Sequence, residues 1–176
     1  MLNAWRKSAE RKRLSEQLCA GVIARARAPV FFRDYGVPDT IDGRFDLLAL
    51  HAWLVLERLD AAGRRDLAQA FTDALFVRFD EGLRDLGAGD MGMGRRMKKI
   101  AAAFYGRMQA YSHAADDAQL AAAVERNLSR GAGEGETARA LALYAKLARI
   151  HLCRADVIAG EIDFGPLPAS ARGDNA

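Results

Sequence analysis

Cysteine is scarce in this 176-residue sequence, and its scarcity limits the chemistry available. The two cysteines, Cys19 and Cys153, lie far apart, each in a segment with helical periodicity. A disulfide framework needs several cysteines, and a structural zinc site needs about four clustered ligands. We therefore predict two reduced, buried thiols and no metal site. The sequence also contains no C-x-x-C-H, which excludes covalent attachment of a c-type haem.

Long apolar runs and targeting segments are also missing. The most apolar stretch, LLALHAWLVL at residues 47–56, has about half the length that a bilayer-spanning helix needs. The N-terminal residues include Glu10 and Glu16 and lack the apolar core of a secretory signal. We expect a cytoplasmic protein.

Sequence motifs of catalytic sites are absent too. His51, His113 and His151 fall in separate helical segments, and neither G-x-S-x-G nor H-E-x-x-H occurs. The glycine-rich stretch at residues 87–94 is followed by no G-K-[ST], so it predicts a connector between helices and not a phosphate loop. Because His51 lies inside the apolar stretch, we predict that it is a hydrogen-bonded histidine of the core. These observations predict a protein that is not an enzyme and holds no cofactor.

Proline is rare, alanine and leucine are abundant, and no alternating run predicts a strand. The sequence therefore predicts an all-α fold: a single compact domain of about six helices over residues 1–165, followed by a disordered tail at 166–176. The predicted helices run from the N-terminus to about Ala26, Gly43 to Ala61, Arg64 to Leu86, Met93 to Ala115, Asp116 to Arg130 and Thr137 to Ala159.

The second predicted helix is apolar on almost every side, and an acidic loop at residues 28–43 precedes it, with Asp42 as the expected N-cap. A helix that is apolar all round is usually the buried centre of its domain. The alternative is that part of its surface stays exposed as a groove for an apolar partner. Both interpretations remain open from the sequence.

Charge is segregated along the chain. Residues 34–90 hold twelve acidic and six basic residues, whereas residues 91–115 hold five basic residues and no acid. These five cations are Arg95, Arg96, Lys98, Lys99 and Arg107. Cations in the first turns of a helix oppose its dipole, and an anion bound there would gain from both. The segment is either a solvated basic face or a docking surface for RNA or anionic lipid.

Five motifs, in this order, carry a resemblance to a known family. They are R-x-P-x-F in 27–31, G-V-P-D-T-x-x-G-R-F in 36–45, L-H-x-x-L-V-x-x-R-L in 50–59, L-R-x-x-G-x-G-D in 83–90 and M-K-K-x-x-x-x-F-Y-G-R in 97–107. With the sequence around them, which spans roughly residues 20–165, they resemble the ubiquinol–cytochrome c chaperone family, in its shorter bacterial form. Where many members have D-L/M-x-V-x-K/R, this chain has DMGMGRR, a small departure at the start of the fourth predicted helix.

The resemblance implies an assembly chaperone for respiratory complex III, with newly made cytochrome b as its client. It further implies work at the inner membrane and action near the ribosomal tunnel exit, together with a small partner protein in some members. On this basis we predict client contacts in the acidic loop and second helix and anionic docking on the fourth. The predicted client-binding residues are Tyr35, Asp39, Arg44, Phe45 and Trp53.

Two other functions remain compatible with the residues. One is a basic helical adaptor that binds ribosomal RNA without a membrane client. The other is a small helical enzyme whose site combines His51, Asp39 and Arg44.

Overall fold

The computed structural model describes residues 2–85, 92–129 and 135–167, and in these ranges the chain is helical without strands. Its α-helices are α1 (Leu2–Ala26), α2 (Pro29–Arg33), α3 (Ile41–Ala61), α4 (Arg65–Asp85), α5 (Met93–Ser112), α6 (Asp117–Val124) and α7 (Gly135–Arg154). A π-helical turn, Glu125–Ser129, continues α6, and a 3₁₀ turn, Val157–Ala159, follows α7. The all-α fold is confirmed.

Helix α3 is the centre of the molecule and packs against α1, α4, α5 and α7. Leu47, Leu50, Leu54 and Leu59 lie on different sides of its axis, and none of them is more than 1% exposed. Burying an aliphatic side chain stabilises a fold by about 1.5–3 kcal/mol, so this helix contributes much of the core. Of the two interpretations that the sequence leaves open, the buried central helix describes most of the length of α3.

The start of α3 differs from the prediction. Its N-cap is Thr40 and not Asp42, because the Thr40 hydroxyl accepts a hydrogen bond from the backbone N–H of Gly43, at 3.1 Å. Gly43 is required here for space, since a Cβ at this position would collide with the carbonyl of Pro38. The preceding loop thus folds back over the first turn of the helix.

The segment at 28–43 is also not a continuous loop. Pro29 begins the short helix α2, where proline is tolerated because the first helical N–H groups have no partner inside the helix. Phe31 of this helix is fully buried in the core. The segment predicted as one loop therefore contains a helix near its start, at Pro29–Arg33.

After α5, the positions of the helices largely agree with the prediction, but the helix type changes toward their C-terminal ends. The fifth predicted helix ends its α-helical part at Val124, and the sixth ends at Arg154 with a separate 3₁₀ turn after it. The glycine-rich connectors lie largely outside the described residues, at 86–91 and 130–134, and so do residues 168–176 of the predicted tail.

The two cysteines have different environments. Cys19 is buried, as predicted, and burial raises the pKa of its thiol. Cys153 is exposed on α7, which contradicts the prediction of a second buried thiol. Its neighbour Leu152 is fully buried, so adjacent positions of α7 face the core and solvent.

A C-terminal strap, residues 160–167, closes the back of the domain across α1 and α7. Arg25 of α1 holds it: its guanidinium Nη2 donates to the carbonyl of Gly165 and, at 3.3 Å, to that of Pro166. Phe164 of the strap is buried edge-on against the His51 ring, with 5.1 Å between ring centroids. Gly165 has φ +75°, and a Cβ there would collide with the His151 ring.

Beneath the strap, a chain of hydrogen bonds runs through the core. The Nε of Arg25 donates to the Tyr144 hydroxyl at 2.9 Å, and that hydroxyl donates to Nε2 of His51 at 2.8 Å. The other ring nitrogen of His51, Nδ1, donates to the Leu47 carbonyl at 2.8 Å. Burial, together with the nearby Arg25 charge, lowers the pKa of His51 to about 4, so the ring is neutral. The predicted hydrogen-bonded core histidine is confirmed.

Candidate functional site

An apolar groove of about 410 Å³ opens at the end of the molecule where α3 begins. Four helices form its walls: the end of α1, the start of α3, the end of α4 and the first half of α5. The apolar residues that line it are Ile23, Ala26, Ile41, Phe45, Leu48, Phe79, Leu83, Ile100 and Ala103. Ile41, on its rim, is 66% exposed and extends the apolar lining of the groove into solvent.

Cations surround this apolar surface. Arg27, Arg44, Arg78 and Lys99 all line the groove. Arg44 and Arg78 pair with exposed carboxylates, those of Asp39 at 2.6 Å and Glu81 at 2.7 Å. Within the described residues, Arg27 and Lys99 make no ion pair.

The floor of the groove is fixed by a buried ion pair between α3 and α5. The Arg107 guanidinium donates to the Asp46 carboxylate, from Nε at 2.6 Å and from Nη2, and to the Ala103 carbonyl at 2.9 Å. The guanidinium also lies 4.8 Å from the Phe45 ring centroid, so it holds that ring from below. Because removing one partner of such a pair is costly, the two helices keep their relative position.

A second depression, of about 530 Å³, adjoins the groove and shares Arg27 and Arg44 with it. Arg33 and Asp39 also line it, together with Pro29 and Phe32 of α2. The hydrogen bond from Arg44 lowers the pKa of Asp39, which is therefore ionised at neutral pH. The side chains lining the two depressions therefore include several arginines, and two of these, Arg27 and Arg44, line both.

The structure separates the five predicted client-binding residues into two groups. Asp39 and Arg44 are exposed, and Phe45 is half-buried in the groove, so these three are accessible. Tyr35 and Trp53 are buried, at 5% and 3% exposure. Trp53 donates its indole N–H to the Ser112 hydroxyl at 3.1 Å and belongs to the core.

The five predicted docking cations separate in the same way. Arg95, Arg96, Lys98 and Lys99 are exposed on the first two turns of α5, and none of them has an ion-pair partner among the described residues. Arg107 is only 8% exposed and is committed to Asp46, because its position on the helix faces α3 and not solvent. We therefore correct the exposed basic patch to the first four.

The sequence matches the family described as ubiquinol–cytochrome c chaperone over residues 33–159, which is most of the chain. The chain belongs to this family. Among solved structures it is similar to the Cbp3 homolog from Brucella abortus, with 35% sequence identity and a TM-score of 0.81 over 94% of this chain and 97% of the other. Among curated proteins, none matches the sequence.

Membership of the ubiquinol–cytochrome c chaperone family places this chain among the complex III assembly chaperones. Both the groove and the exposed basic patch lie largely inside the matched residues. Of the groove lining, only Ile23, Ala26 and Arg27 precede the match.

The residues proposed for an enzyme site do not come together. His51 is fully buried under the strap, and it lines neither of the two depressions that contain Arg44. Asp39 and Arg44 form an exposed pair at the surface. In the described part of the chain, no group of three or more His, Cys, Asp or Glu residues could hold a metal ion.

The structure also identifies residues of this site that the sequence patterns did not indicate. Nothing in the local pattern links Asp46 with Arg107, because 61 positions separate them. Arg27, just after α1, and Phe79 of α4 reach the groove from segments whose sequence pattern gave no sign of a site. The one available signal was Ile41, a large apolar residue placed before the predicted start of the second helix.

None of the helices in the described ranges combines the length and hydropathy needed to cross a lipid bilayer.

Proposed function

We propose that this chain is a non-catalytic chaperone that binds newly made cytochrome b in the apolar groove during assembly of complex III. The observation that supports the proposal best is an apolar surface left open between four helices in a member of this family. A client that spans the membrane exposes apolar helices before insertion, and such surfaces need cover in water.

The groove has the physical properties of a reusable holding site. Its floor is rigid, because Thr40 caps α3 and the Asp46–Arg107 pair joins α3 to α5. Its lining is partly exposed in the unbound protein, so an apolar client gains about 25 cal/mol for each Å² that it covers. No bond to the client has to be made or broken, which agrees with a protein that only holds and releases.

We also propose that the exposed basic patch, Arg95, Arg96, Lys98 and Lys99, brings the chaperone to an anionic surface. The cations lie at the positive end of the α5 dipole, so the helix and its side chains attract the same ligand charge. Ribosomal RNA near the tunnel exit and the anionic inner membrane both offer phosphates in the place where the client is made. The protein would then be cytoplasmic and peripheral at the inner membrane, with a small partner protein as a further candidate contact.

Deletion of the gene tests the function. We expect loss of assembled complex III while other respiratory complexes persist, measured by native gel electrophoresis of membranes. Normal complex III in the deletion strain would exclude the proposal.

Site-specific photo-crosslinking tests the place of binding. A photoreactive residue at position 41, on the rim of the groove, should crosslink to cytochrome b while that protein is being made. Position 143 is the matched control, because Leu143 is similarly exposed, at 58%, but lies on α7 away from the groove. Crosslinking from position 143 and not from 41 would place the client on another face.

The adaptor hypothesis remains a second candidate, because the four cations of the basic patch have no partner in the described chain. Reversing all four to glutamate should reduce co-sedimentation with ribosomes or with anionic vesicles at low salt. If the variant loses ribosome binding while complex III still assembles normally, the RNA-binding function is separate from the chaperone function.

A further inference from the structure

The acidic and basic side chains around the groove differ in whether they have a partner among the described residues. The exposed acids near it are already engaged: Asp39 binds Arg44, Glu81 binds Arg78, and Asp42 also has a partner. The two groove-lining charges without a partner in the described residues, Arg27 and Lys99, are both positive. Arg27 follows the last residue of α1 and Lys99 lies on α5, so the excess is not confined to one wall.

We propose that the groove selects apolar helical segments whose flanking residues are acidic, and rejects the same segments when their flanks are basic. The inference rests on the proposed function, because it concerns the occupant of the same groove. It adds a charge preference to the apolar requirement.

The geometry gives a carboxylate several partners. An acidic flank can pair directly with Arg27 or Lys99, and it can also replace Asp39 on Arg44 or Glu81 on Arg78. Exchange is easy because these pairs are solvent-exposed, with Arg44 58% and Arg78 53% exposed in their side chains. Once an apolar segment covers the groove, water is excluded and the new pairs become stronger than those they replace.

A basic flank meets the opposite situation. It would approach unpaired cations beside an apolar, low-dielectric surface, where like charges repel strongly. Membrane helices carry an excess of lysine and arginine on their cytoplasmic side, so their two ends differ in charge. The groove would accordingly prefer the end of a membrane helix that is due to leave the cytoplasm, and would leave the basic end free.

Two labelled peptides test the preference on the full-length protein. Both have the same apolar core of about 20 residues, one with two aspartates at each end and the other with two lysines. Fluorescence anisotropy should show about tenfold tighter binding of the acidic peptide at about 0.05 M salt, and a smaller ratio at about 0.5 M, where screening shortens to a few ångströms.

Variants locate the effect. Arg27→Gln with Lys99→Gln should reduce the affinity ratio of the two peptides several-fold, with a remainder from Arg44 and Arg78, while the thermal unfolding midpoint stays unchanged. Arg139→Gln with Arg154→Gln removes two exposed cations of α7, away from the groove, and should leave the ratio as in the wild type.

The outcomes are distinguishable. Equal affinity for both peptides, or a ratio that the Arg27 and Lys99 changes do not alter, overturns the charge preference and leaves the groove as a general apolar site. If neither peptide binds, the groove is not the client site, and the proposed binding place fails together with the preference.

Discussion

Arg25 and Arg27 stand two residues apart near the end of α1, yet their surroundings are opposite. Arg25 is half-buried at the back of the domain, where its guanidinium binds the Tyr144 hydroxyl and two carbonyls of the strap. Arg27 is exposed at the groove and has no ion-pair partner among the described residues. The same residue type, two positions apart in the chain, thus serves closure in one place and remains available in the other.

The difference extends to the aromatic rings on each side. Phe164 of the strap is buried against His51, whereas Phe45 of the groove keeps part of its ring exposed. Surfaces whose polar and apolar groups are satisfied internally contribute to stability, and those left unsatisfied are available for binding. The comparison therefore separates residues that hold the fold from residues that hold a partner.

The largest effect on stability is expected at the floor of the groove, because the ion pair there is buried, as His51 is beneath the strap. Asp46→Ala leaves Arg107 buried without its partner, which should lower the free energy of unfolding by about 3–5 kcal/mol. Urea denaturation followed by circular dichroism measures it. The matched control is Asp39→Ala, which breaks an exposed pair and should cost about 1 kcal/mol or less. A loss at Asp46 no greater than that at Asp39 would show that the floor is not rigidly held.

The back of the domain should respond to pH. The pKa of His51 is about 4 in the folded protein and about 6.5 when unfolded, so the unfolded state binds the extra proton first. The contribution of His51 is fully present above pH 6.5 and is lost as pH falls toward 4, on the order of 3 kcal/mol in total.

His51→Gln isolates this contribution, because glutamine can still donate and accept hydrogen bonds but does not titrate. Unfolding free energies measured at several pH values should fall more steeply in the wild type than in the variant between pH 6.5 and about 4. Parallel curves would mean that the ring is not held neutral. The exposed His113 and the His151–Asp163 pair are common to both proteins and cancel in the difference.

The arginine pair tests the comparison directly. Arg25→Ala removes bonds to the strap and to Tyr144 and should lower the unfolding free energy by about 1–3 kcal/mol. Arg27→Ala should change it by no more than about 0.5 kcal/mol, as surface substitutions do. Chemical denaturation of both variants under one condition measures the contrast. Equal losses would remove the distinction between the two regions.

The smallest effect on stability is expected at the rim of the groove. Ile41→Gln replaces an exposed side chain and should leave the unfolding free energy within about 0.5 kcal/mol of the wild type. Its binding of the acidic-flanked peptide should nevertheless weaken, because apolar contact area is lost. A variant that binds the peptide as well as the wild type would exclude Ile41 from the contact surface.

Periodicity predicted the helices well, because a repeat of apolar residues along one helix is a local signal. It also predicted that α3 is central and that His51 is buried. The assignment of Tyr35 and Trp53 to client contacts came from the resemblance, and both side chains are buried, because an aromatic residue in a loop or helix has the same local pattern whether it faces a partner or the core. The pairing of Arg107 with Asp46 and the closing role of Arg25 depend on contacts across the fold, which no spacing in the sequence records.

The hydrogen bond between Arg25 and Gly165 joins positions 140 residues apart in the sequence. This sequence separation affects the order in which parts of the protein can fold during synthesis. Contacts between distant positions form late, since a long loop must be closed first. Helices α1 to α5, which form the groove, therefore leave the translation machinery well before the strap can seal the opposite side. A chain interrupted before Phe164 would leave the His51 ring without the aromatic contact that covers it from the strap side.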